Sequence, residues 1–325
     1  MIIIGDAKKE LKKLESNLVQ SVVTSPPYWG LRDYGTAKWE GGNELCDHSH
    51  FLGGNGEKSN KQVTSEGTQK YQYKKICKKC GAIRIDNQLG LEQSPQEYVS
   101  TMVEVFDEVF RVLKKDGTLW LNIGDSYSSI RNEKTGLKKK DLVGIPWMLA
   151  FALRMNGWYL RQDIIWAKPN PMPESVRDRC TKSHEYIFML TKSEKYYYDY
   201  NAIREPRTSI GSNHQFGGKK YNDPTNPIYG SIQSVYESDG KRNKRDVWNI
   251  TTQPFKDAHF AVMPERLVEP CILAGSKADD LILDPFAGSG TVGVVAKKHN
   301  RNFIGIELNP DYAKIANDRI NETLF

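Results

Sequence analysis

The apolar residues of this chain fall into short runs, most of which end in glycine, proline or an acidic residue. Short runs of β-branched and aromatic residues that are bounded by turn residues predict β-strands. Seven strands are predicted in this way, at Ile2–Ile4, Ser21–Thr24, Thr118–Ile123, Asp163–Trp166, Tyr186–Leu190, Leu281–Leu283 and Phe303–Ile306.

Between these runs the apolar residues recur at helical spacing. The clearest helix begins at Ser94-Pro95, an N-cap followed by a first-turn proline, and is expected to end at Lys115-Asp116-Gly117. Further helices are predicted at Pro146–Met155, around Glu265–Ala274 and after Gly290. The alternation of strands and helices predicts an α/β fold with a doubly wound sheet, whose ligand-binding turns lie at the carboxyl ends of the strands.

Composition narrows the class of protein. The chain has 325 residues, of which 38% are hydrophobic, and this is enough for one elaborate domain or two ordinary ones and excludes full-length disorder. Its apolar runs are far shorter than the roughly 20 residues of a membrane helix. The N-terminus has no basic leader and no cleavage site, so a soluble, cytoplasmic protein without membrane contact is expected. The net charge of +6 is a weak indication of a polyanionic partner.

Residues 284–291, Asp-Pro-Phe-Ala-Gly-Ser-Gly-Thr, follow an apolar strand and open a helix. Glycines at such a turn let a ligand approach the backbone, where the first N–H groups of the helix have no partner within the helix. The segment therefore predicts a cofactor-binding turn.

The same turn raises a nicotinamide enzyme as an alternative. Gly288, Gly290 and Gly293 satisfy the dinucleotide-binding spacing, and Glu307 could bind ribose hydroxyls. However, Asp284 puts a carboxylate where a pyrophosphate would be repelled. The turn also lies too near the C-terminus for the rest of such a domain. A cofactor without phosphates that carries an ammonium or sulfonium charge fits this carboxylate better.

A second turn, Thr24-Ser25-Pro26-Pro27-Tyr28, also ends a predicted strand. The two prolines fix φ and remove two N–H donors, so their carbonyls are expected to point outward as acceptors. Together with the Ser25 hydroxyl they form an acceptor-rich turn suited to an exocyclic amine. Tyr28 is expected to stack on a flat ring, and stacking of a base on an aromatic side chain contributes roughly 1–3 kcal/mol. A rigid turn with a core tyrosine is the alternative.

The two turns together resemble those of the S-adenosylmethionine-dependent DNA amino-methyltransferases, in the β-class arrangement in which the catalytic motif precedes the cofactor motif. Further segments are similar to that family and occur in the same order. They are Gly5-Asp6, residues 166–171, residues 184–188, residues 246–250 and the stretch from His259-Phe260 to Pro264-Glu265. The resemblance covers most of the chain.

The resemblance implies a Rossmann-like methyltransferase fold: a circularly permuted, doubly wound, mostly parallel seven-stranded sheet in which the strand after Ala278 neighbours the strand that ends in Ser25. S-adenosylmethionine would lie over residues 286–290, with Glu307 on its ribose and Asp6 near its adenine. The implied cofactor-binding residues are Asp6, Asp284, Pro285, Phe286, Gly288, Gly290, Thr291 and Glu307. The implied catalytic residues are Ser25, Pro26, Pro27 and Tyr28, which would hold the amine of a flipped-out base.

The expected reaction is methyl transfer to the N4 amino group of cytosine in double-stranded DNA. Serine at position 25 resembles the N4-cytosine branch, whereas N6-adenine enzymes mostly carry Asp or Asn there. Carbon-5 methylation is not expected, because Pro270-Cys271 precedes the cofactor turn on an apparent helix. Cys271 and Cys180 are expected to be buried structural cysteines. The alternatives are N6-adenine methylation, methylation of RNA or protein amides, and a non-catalytic nucleic-acid-binding zinc protein.

Four residues that flank a polar stretch predict a metal site. Cys46-Asp47-His48 and Cys77-Lys78-Lys79-Cys80 supply four ligands for a closed tetrahedral zinc site, Cys46, His48, Cys77 and Cys80. His50 is the reserve ligand. The alternative is a set of reduced surface thiols and an incidental histidine.

The whole chain, residues 1–325, is expected to form one permuted catalytic domain with two insertions. Residues 40–90 form a small zinc-binding insertion in which residues 52–74 are expected to be flexible. Residues 200–250 are expected to form a target-recognition region, because lysines and arginines are interleaved there with aromatic residues. An ordinary solvated loop is the alternative. Arg131–Lys140 is expected to add phosphate contacts. A cognate restriction endonuclease and a second copy of the chain are further candidate partners.

Overall fold

The computed structural model describes residues 1–30, 38–48, 76–85, 88–129, 135–207, 240–253 and 262–323. The strands are β1 (Ile2–Ile4), β2 (Val19–Thr24), β3 (Lys38–Glu40), β4 (Ile83–Ile85), β5 (Leu113–Ile123), β6 (Tyr159–Ala167), β7 (His184–Thr191), β8 (Glu205–Pro206), β9 (Lys241–Arg242), β10 (Val247–Asn249), β11 (Leu281–Asp284) and β12 (Asn302–Glu307). The helices are α1 (Ala7–Leu11), α2 (Pro95–Val112), α3 (Ile145–Met155), α4 (Glu265–Gly275), α5 (Thr291–Lys298) and α6 (Pro310–Glu322), with a short 3₁₀ helix at Asn201–Ile203.

Eight of the described strands form one sheet, in the order β1-β12-β11-β2-β5-β7-β6-β10. Its neighbours pair in parallel, except that β7 runs antiparallel to both β5 and β6. The predicted doubly wound, mostly parallel sheet is therefore confirmed, and all seven predicted strands belong to it. The number of strands is one higher than expected, because β10 pairs in parallel with the outer edge of β6.

The permuted order of the strands is visible in the pairing of β2 with β11. Ile282 lies opposite Ser21 and Leu283 opposite Val22, so strands from opposite ends of the sequence are neighbours at the centre of the sheet, as the resemblance implies. This pairing brings the two turns that follow these strands to the same edge.

Apolar side chains pack on both faces of the sheet. One buried cluster joins the sheet to α1, α2 and α3, and the other joins it to α4, α5 and Ile320 of α6. Helix α2 begins as predicted, since the Ser94 hydroxyl accepts a hydrogen bond from the Glu97 N–H at 3.1 Å and Pro95 lies in the first turn. It ends at Val112, and β5 already begins at Leu113. Residues 115–117, which were predicted as a turn, lie within β5 instead. The pairing with β2 shifts register there, between Leu113, which lies opposite Val19, and Thr118, which lies opposite Ser21.

Two small antiparallel pairs lie outside the main sheet. Strands β3 and β4 form one pair and β8 and β9 form the other. They lie within or beside the two predicted insertions, although β10, which also falls within residues 200–250, belongs to the main sheet. Residues 52–74, His50, Arg131 and residues 208–239 lie outside the described residues. The division into a catalytic domain and two insertions stays a prediction. No helix in the described part of the chain is long and apolar enough to cross a membrane.

Candidate active site

One edge of the main sheet carries the candidate site. The parallel strands β1, β2, β5, β6, β11 and β12 end there, and β7 begins there because it runs in the opposite direction. A cavity of about 370 Å³ opens at this edge. Eleven of the predicted cofactor-binding and catalytic residues line it: Asp6, Ser25, Pro26, Pro27, Tyr28, Asp284, Pro285, Phe286, Gly288, Thr291 and Glu307.

Asp284 connects the two turns of the site. Its carboxylate is 2% exposed, accepts a hydrogen bond from the Thr24 hydroxyl at 2.6 Å and accepts another from the Phe286 N–H at 3.0 Å. Burial raises the pKa of Asp284 to about 7, although both hydrogen bonds favour the ionised form. Thr24 directly precedes Ser25, so this contact fixes the predicted cofactor turn (residues 284–291) against the predicted catalytic turn (residues 24–28).

Glu307 holds the cofactor turn from the next strand. Its two carboxylate oxygens accept hydrogen bonds from the backbone N–H groups of Gly288 and Asn309, each at 2.8 Å. Burial raises the pKa of Glu307 above its ordinary value. A carboxylate at the end of the strand after a glycine-rich turn is well placed to accept hydrogen bonds from vicinal hydroxyls.

Asp6 and Gly290 have structural roles of their own. The Asp6 side chain caps α1 by accepting the Lys9 N–H at 2.9 Å, while the residue also lines the cavity. Gly290 is not among the lining residues. It precedes α5 with φ +79°, and a Cβ added there would lie 2.8 Å from the Cβ of Ala316, so the glycine allows α5 and α6 to approach closely.

The catalytic turn differs in one respect from the prediction. The Pro27 carbonyl does not point outward as a free acceptor, since it accepts a hydrogen bond from the Tyr98 hydroxyl of α2 at 2.9 Å. The Tyr98 side chain is fully buried, so this contact anchors the turn to the core. Ser25 and Pro26 line the cavity.

Tyr28 takes part in a hydrogen-bonded cluster that the sequence did not indicate. Its hydroxyl donates to Glu185 at 2.7 Å, lies 3.3 Å from the Asn122 side-chain oxygen and accepts from the Ser25 hydroxyl at 3.3 Å. Burial, and then the charge of Glu185, raise the pKa of Tyr28 well above its usual range. Glu185 also forms an ion pair with Lys168, whose ammonium lies 4.2 Å from the centre of the Trp166 ring.

The cavity is also lined by four residues for which the sequence predicted no role, Asn122, Trp166, Lys168 and Glu185. Lys168 and Glu185 stand in segments that are similar to the family, and both are charged residues next to strand ends. Asn122 is a polar residue, 3% exposed, inside an apolar strand. These features mark each residue separately in the sequence. Only the order of the strands in the sheet shows that the residues lie together.

The four predicted metal ligands come together beside the antiparallel β3–β4 pair. The ligand atoms of Cys46, His48, Cys77 and Cys80 all lie within 4.8 Å of one another. The sulfurs of Cys46 and Cys77 are 3.9 Å apart, and the Cys80 sulfur is 3.6 Å from the His48 Nδ1. Tetrahedral zinc with Zn–S bonds of about 2.3 Å separates neighbouring sulfurs by about 3.8 Å. The donor set and its spacing therefore fit zinc.

The remaining cysteines differ from each other. Cys271 is 1% exposed, its thiol donates to the Leu267 carbonyl at 3.4 Å, and burial raises its pKa far above the ordinary value. It is the expected structural cysteine, and it does not line the cavity. Cys180 is exposed, so the prediction that it is buried is wrong.

Comparison with known proteins identifies the family. A family model described as DNA methylase matches residues 19–318. The chain is 43% identical to the Type II methyltransferase M.Cfr9I of Citrobacter freundii, over 97% of this chain and 86% of that protein. It is 41% identical to M.SmaI of Serratia marcescens, over 98% of this chain and 90% of that protein. The chain belongs to the DNA methylase family.

Solved structures agree with the fold of this DNA methylase. The PvuII DNA methyltransferase, which is cytosine-N4-specific, superposes with a TM-score of 0.60 at 17% identity, covering 98% of this chain and 85% of that one. A Thermus thermophilus protein assigned as a DNA modification methylase, solved with S-adenosyl-L-methionine, superposes with a TM-score of 0.55 at 22% identity, covering 99% and 93%.

Family membership decides between the alternatives of the sequence analysis. The chain is an S-adenosylmethionine-dependent DNA amino-methyltransferase of the combined N6 and N4 family. A nicotinamide enzyme and a non-catalytic zinc protein are thereby excluded. The choice between cytosine and adenine is open at this level, because the family includes both.

Proposed function

We propose that this DNA methylase transfers the methyl group of S-adenosylmethionine to the N4 amino group of cytosine, in a base flipped out of double-stranded DNA. The observation that carries the choice of cytosine is serine at position 25, the residue at the end of β2 that faces the cavity. It resembles the serine of the N4-cytosine branch. Aspartate and asparagine are typical of N6-adenine enzymes at this position.

The cofactor would bind in the half of the cavity formed by residues 284–291, Asp6 and Glu307. The residues present fit it: Glu307 offers carboxylate oxygens, and Asp284 offers a buried carboxylate that suits a positive charge. When bound, S-adenosylmethionine supplies an electrophilic methyl group on a sulfonium. Phe286 and Pro285 supply apolar surface beside it.

The target base would enter the half formed by Ser25–Tyr28, Asn122 and Glu185. The Ser25 hydroxyl donates to Tyr28 and keeps lone pairs that can accept a hydrogen bond from the amine. An acceptor at this position orients the amine nitrogen toward the methyl group. Such orientation, together with exclusion of water, can supply much of the rate enhancement.

Transfer of labelled methyl from S-adenosylmethionine to unmethylated DNA of mixed sequence tests the proposal. The product is digested to nucleosides, and N4-methylcytosine is the expected labelled species. N6-methyladenine as the only labelled nucleoside would overturn the choice of base while leaving the family intact. Sequencing of the modified sites gives the recognition sequence.

The β8–β9 pair is proposed to contact the DNA backbone. Arg242 and Arg245 pair with the Glu205 carboxylate. Four further cations stand on the same strands and beside them, namely Arg204, Arg207, Lys241 and Lys244. The segment continues through β10 to Thr252 and Gln253, which line the cavity, so this cationic surface is joined to the target half by a short stretch of chain.

Neutralising Lys241 and Lys244 together, each to glutamine, is expected to weaken DNA binding and to reduce the slope of log K against log salt by about 1 per lost phosphate contact. Lys12→Gln, at the exposed end of α1, is the matched control and should leave the slope unchanged. An unchanged slope in the double variant would exclude this surface.

We further propose that Cys46, His48, Cys77 and Cys80 hold a structural Zn²⁺. Support comes from the four convergent ligand atoms and from the backbone N–H groups of Asn43 and Ala82, which lower the pKa of Cys80 to about 7. Protein purified without chelator should contain one zinc per chain by mass spectrometry. Cys77→Ser should lose it and Cys180→Ser should retain it. Metal well below one per chain in the wild type would remove the hypothesis.

A cognate restriction endonuclease is proposed as the biological partner, because the relatives M.Cfr9I and M.SmaI are Type II methyltransferases. Isolation of an endonuclease that cuts the sequence modified by this enzyme would support it. A homodimer stays a prediction.

A further inference from the structure

Glu185 is a carboxylate on the target side of the cavity that the mechanism above does not use. Its side chain is 16% exposed, and it lies at the start of β7, the antiparallel strand of the main sheet. Three groups donate to it: the Tyr28 hydroxyl at 2.7 Å, the Asn122 amide at 3.2 Å and the Lys168 ammonium. None of these partners is close to Glu185 in the sequence.

The chemistry of the carboxylate fixes the direction of the hydrogen bonds around it. An ionised carboxylate accepts hydrogen bonds and cannot donate. Tyr28 must therefore use its only proton toward Glu185, and its oxygen can then only accept. The partner on that side is the Ser25 hydroxyl at 3.3 Å, so the Ser25 proton is engaged by Tyr28 and is not offered to a group bound in the cavity.

Asn122 reinforces the same direction. Its amide nitrogen donates to Glu185 and to the Tyr186 carbonyl at 3.1 Å. This orientation turns its side-chain oxygen toward the Tyr28 hydroxyl, at 3.3 Å. The phenolic proton thus faces two acceptors and no donor.

Lys168 compensates the charge that this arrangement buries. Its ammonium pairs with the other oxygen of Glu185, and only 18% of its side chain is exposed. A buried carboxylate without such a partner would be strongly destabilising. Lys168 does not contact Tyr28 in the described hydrogen-bond network. It therefore stabilises the charge of Glu185, and the carboxylate alone determines the direction of the hydrogen bonds through Tyr28 to Ser25.

We propose that Glu185 is a positioning residue that acts through Tyr28 and makes Ser25 an acceptor toward the target amine. The inference rests on the proposed function, in which Ser25 binds that amine. In the transfer, the nitrogen lone pair forms the N–C bond, the S–C bond breaks with its electron pair going to sulfur, and the nitrogen then releases one proton to solvent. Because positive charge develops on the amine, an acceptor at Ser25 stabilises the transition state more than the ground state.

Glu185→Gln breaks this arrangement with little change in shape. The glutamine amide can donate to the Tyr28 oxygen and there compete with the Ser25 proton, while Tyr28 still donates to Asn122. The Ser25 proton can then turn toward the amine. We expect kcat to fall about 10-fold to 100-fold at saturating DNA, while the Kd of S-adenosylmethionine stays within about 2-fold. Glu194→Gln, an exposed glutamate just beyond the same strand, is the matched control and should match the wild type.

A double-mutant cycle with Tyr28→Phe separates positioning from a merely structural role. If Glu185 acts through the Tyr28 hydroxyl, adding Glu185→Gln to Tyr28→Phe should change kcat by less than about 2-fold. Losses that simply multiply in the double variant would overturn the proposal, and so would an unchanged kcat in Glu185→Gln.

Glu185→Asp covers the case in which the glutamine variant does not fold, judged by its binding of S-adenosylmethionine. Aspartate still only accepts, so this variant should retain more activity than Glu185→Gln, and a larger loss in Glu185→Asp would count against positioning by the carboxylate. The cycle can be run on whichever base the enzyme methylates. Failure of the cytosine assignment would therefore leave this test intact, and failure of this test would leave that assignment intact.

Discussion

The two halves of the cavity are built in different ways. The cofactor half consists of one continuous turn, residues 284–291, held by backbone N–H groups and by Glu307 on the next strand. The target half is assembled from side chains of separate segments, and Tyr28 and Glu185 in its centre are 157 positions apart in the sequence. Backbone contacts form the first half, and a directed chain of side-chain hydrogen bonds forms the second.

On the proposed function, this difference would separate the residues that bind the cofactor from those that act on the target amine. A turn that contacts its ligand through backbone groups can bind one invariant ligand, and this binding depends little on the identity of most side chains in the turn. A cluster of polar side chains can impose a direction on its hydrogen bonds, because each partner donates or accepts according to its type. We therefore expect substitutions in the target half to change kcat and substitutions in the cofactor half to change the affinity for S-adenosylmethionine.

The largest effect is expected from Ser25→Ala. This variant removes the acceptor that orients the amine, and loss of one such electrostatic contact typically costs about 100-fold to 1000-fold in kcat. The Kd of S-adenosylmethionine should stay within about 2-fold of the wild-type value, because Ser25 has no described contact with the cofactor turn. Single-turnover methyl transfer and calorimetric titration of the cofactor measure the two quantities.

Ser100→Ala, on the exposed face of α2, is the control for Ser25→Ala and should behave as the wild type. A Ser25→Ala variant that keeps its kcat but loses cofactor affinity would reverse the comparison between the two halves.

The comparison also explains how much of the site the sequence could predict. The cofactor turn was predicted residue by residue because it is contiguous, and of its predicted members only Gly290 lies outside the cavity, where close packing against Ala316 requires it. In the target half only the contiguous Ser25–Tyr28 segment was predicted. The sequence also could not predict that the Pro27 carbonyl is occupied by a hydrogen bond from Tyr98, because this contact depends on how α2 packs.

The fold shows the same division between local and long-range information. All seven predicted strands and the β2–β11 adjacency are present. The eighth strand, Val247–Asn249, was missed because three residues with one buried side chain are too few to establish a pattern of alternation. Asn122, Lys168 and Glu185 became neighbours only through the antiparallel insertion of β7 between β5 and β6.

A smaller effect, in the opposite half, is expected from Glu307→Gln. The variant keeps one acceptor and loses the charge, so the Gly288 and Asn309 N–H groups compete for a single good acceptor. We expect the Kd of S-adenosylmethionine to rise about 10-fold, which corresponds to about 1.4 kcal/mol. The kcat at saturating cofactor should stay within about 2-fold.

Glu322→Gln, at the exposed end of α6, is the control for Glu307→Gln. A fall in kcat with unchanged cofactor affinity in Glu307→Gln would show that this carboxylate serves the chemistry instead of binding.

Asp284 bridges the halves, and its effect should appear in stability. Its pKa is raised to about 7 in the folded protein by burial, whereas in the unfolded chain it is about 3.9. The folded state therefore keeps this proton to higher pH, so the free energy of unfolding contributed by this group is greatest below pH 4 and falls as the pH rises to about 7. Between pH 5 and 7 the wild type should lose on the order of 1 kcal/mol or more relative to Asp284→Asn.

Denaturant unfolding of both proteins at several pH values measures this difference. Asp318→Asn, an exposed aspartate on α6, should parallel the wild type throughout. Parallel curves for the wild type and Asp284→Asn would mean that the Thr24 contact keeps Asp284 ionised when folded, and that the junction between the two halves carries a permanent charge.

The smallest effect on the cofactor half should come from the proposed zinc. Its ligands lie between β3 and β4 in the sequence, in an insertion that the chain enters after the catalytic turn and leaves just before Gln88 and Leu89, two residues that line the cavity. Gly30 and Gly90 also join the two ends of this excursion through a hydrogen bond of 2.8 Å. Removing the metal, by chelation or by Cys77→Ser, should leave the Kd of S-adenosylmethionine within about 2-fold and raise the KM for DNA several-fold. The reason is that Gln88 and Leu89 adjoin Gly90, which lies close against Pro27 and Tyr28 of the target half. Equal losses of cofactor affinity and DNA affinity would instead indicate that the metal site stabilises the whole fold. The insertion would then not act on the target half alone.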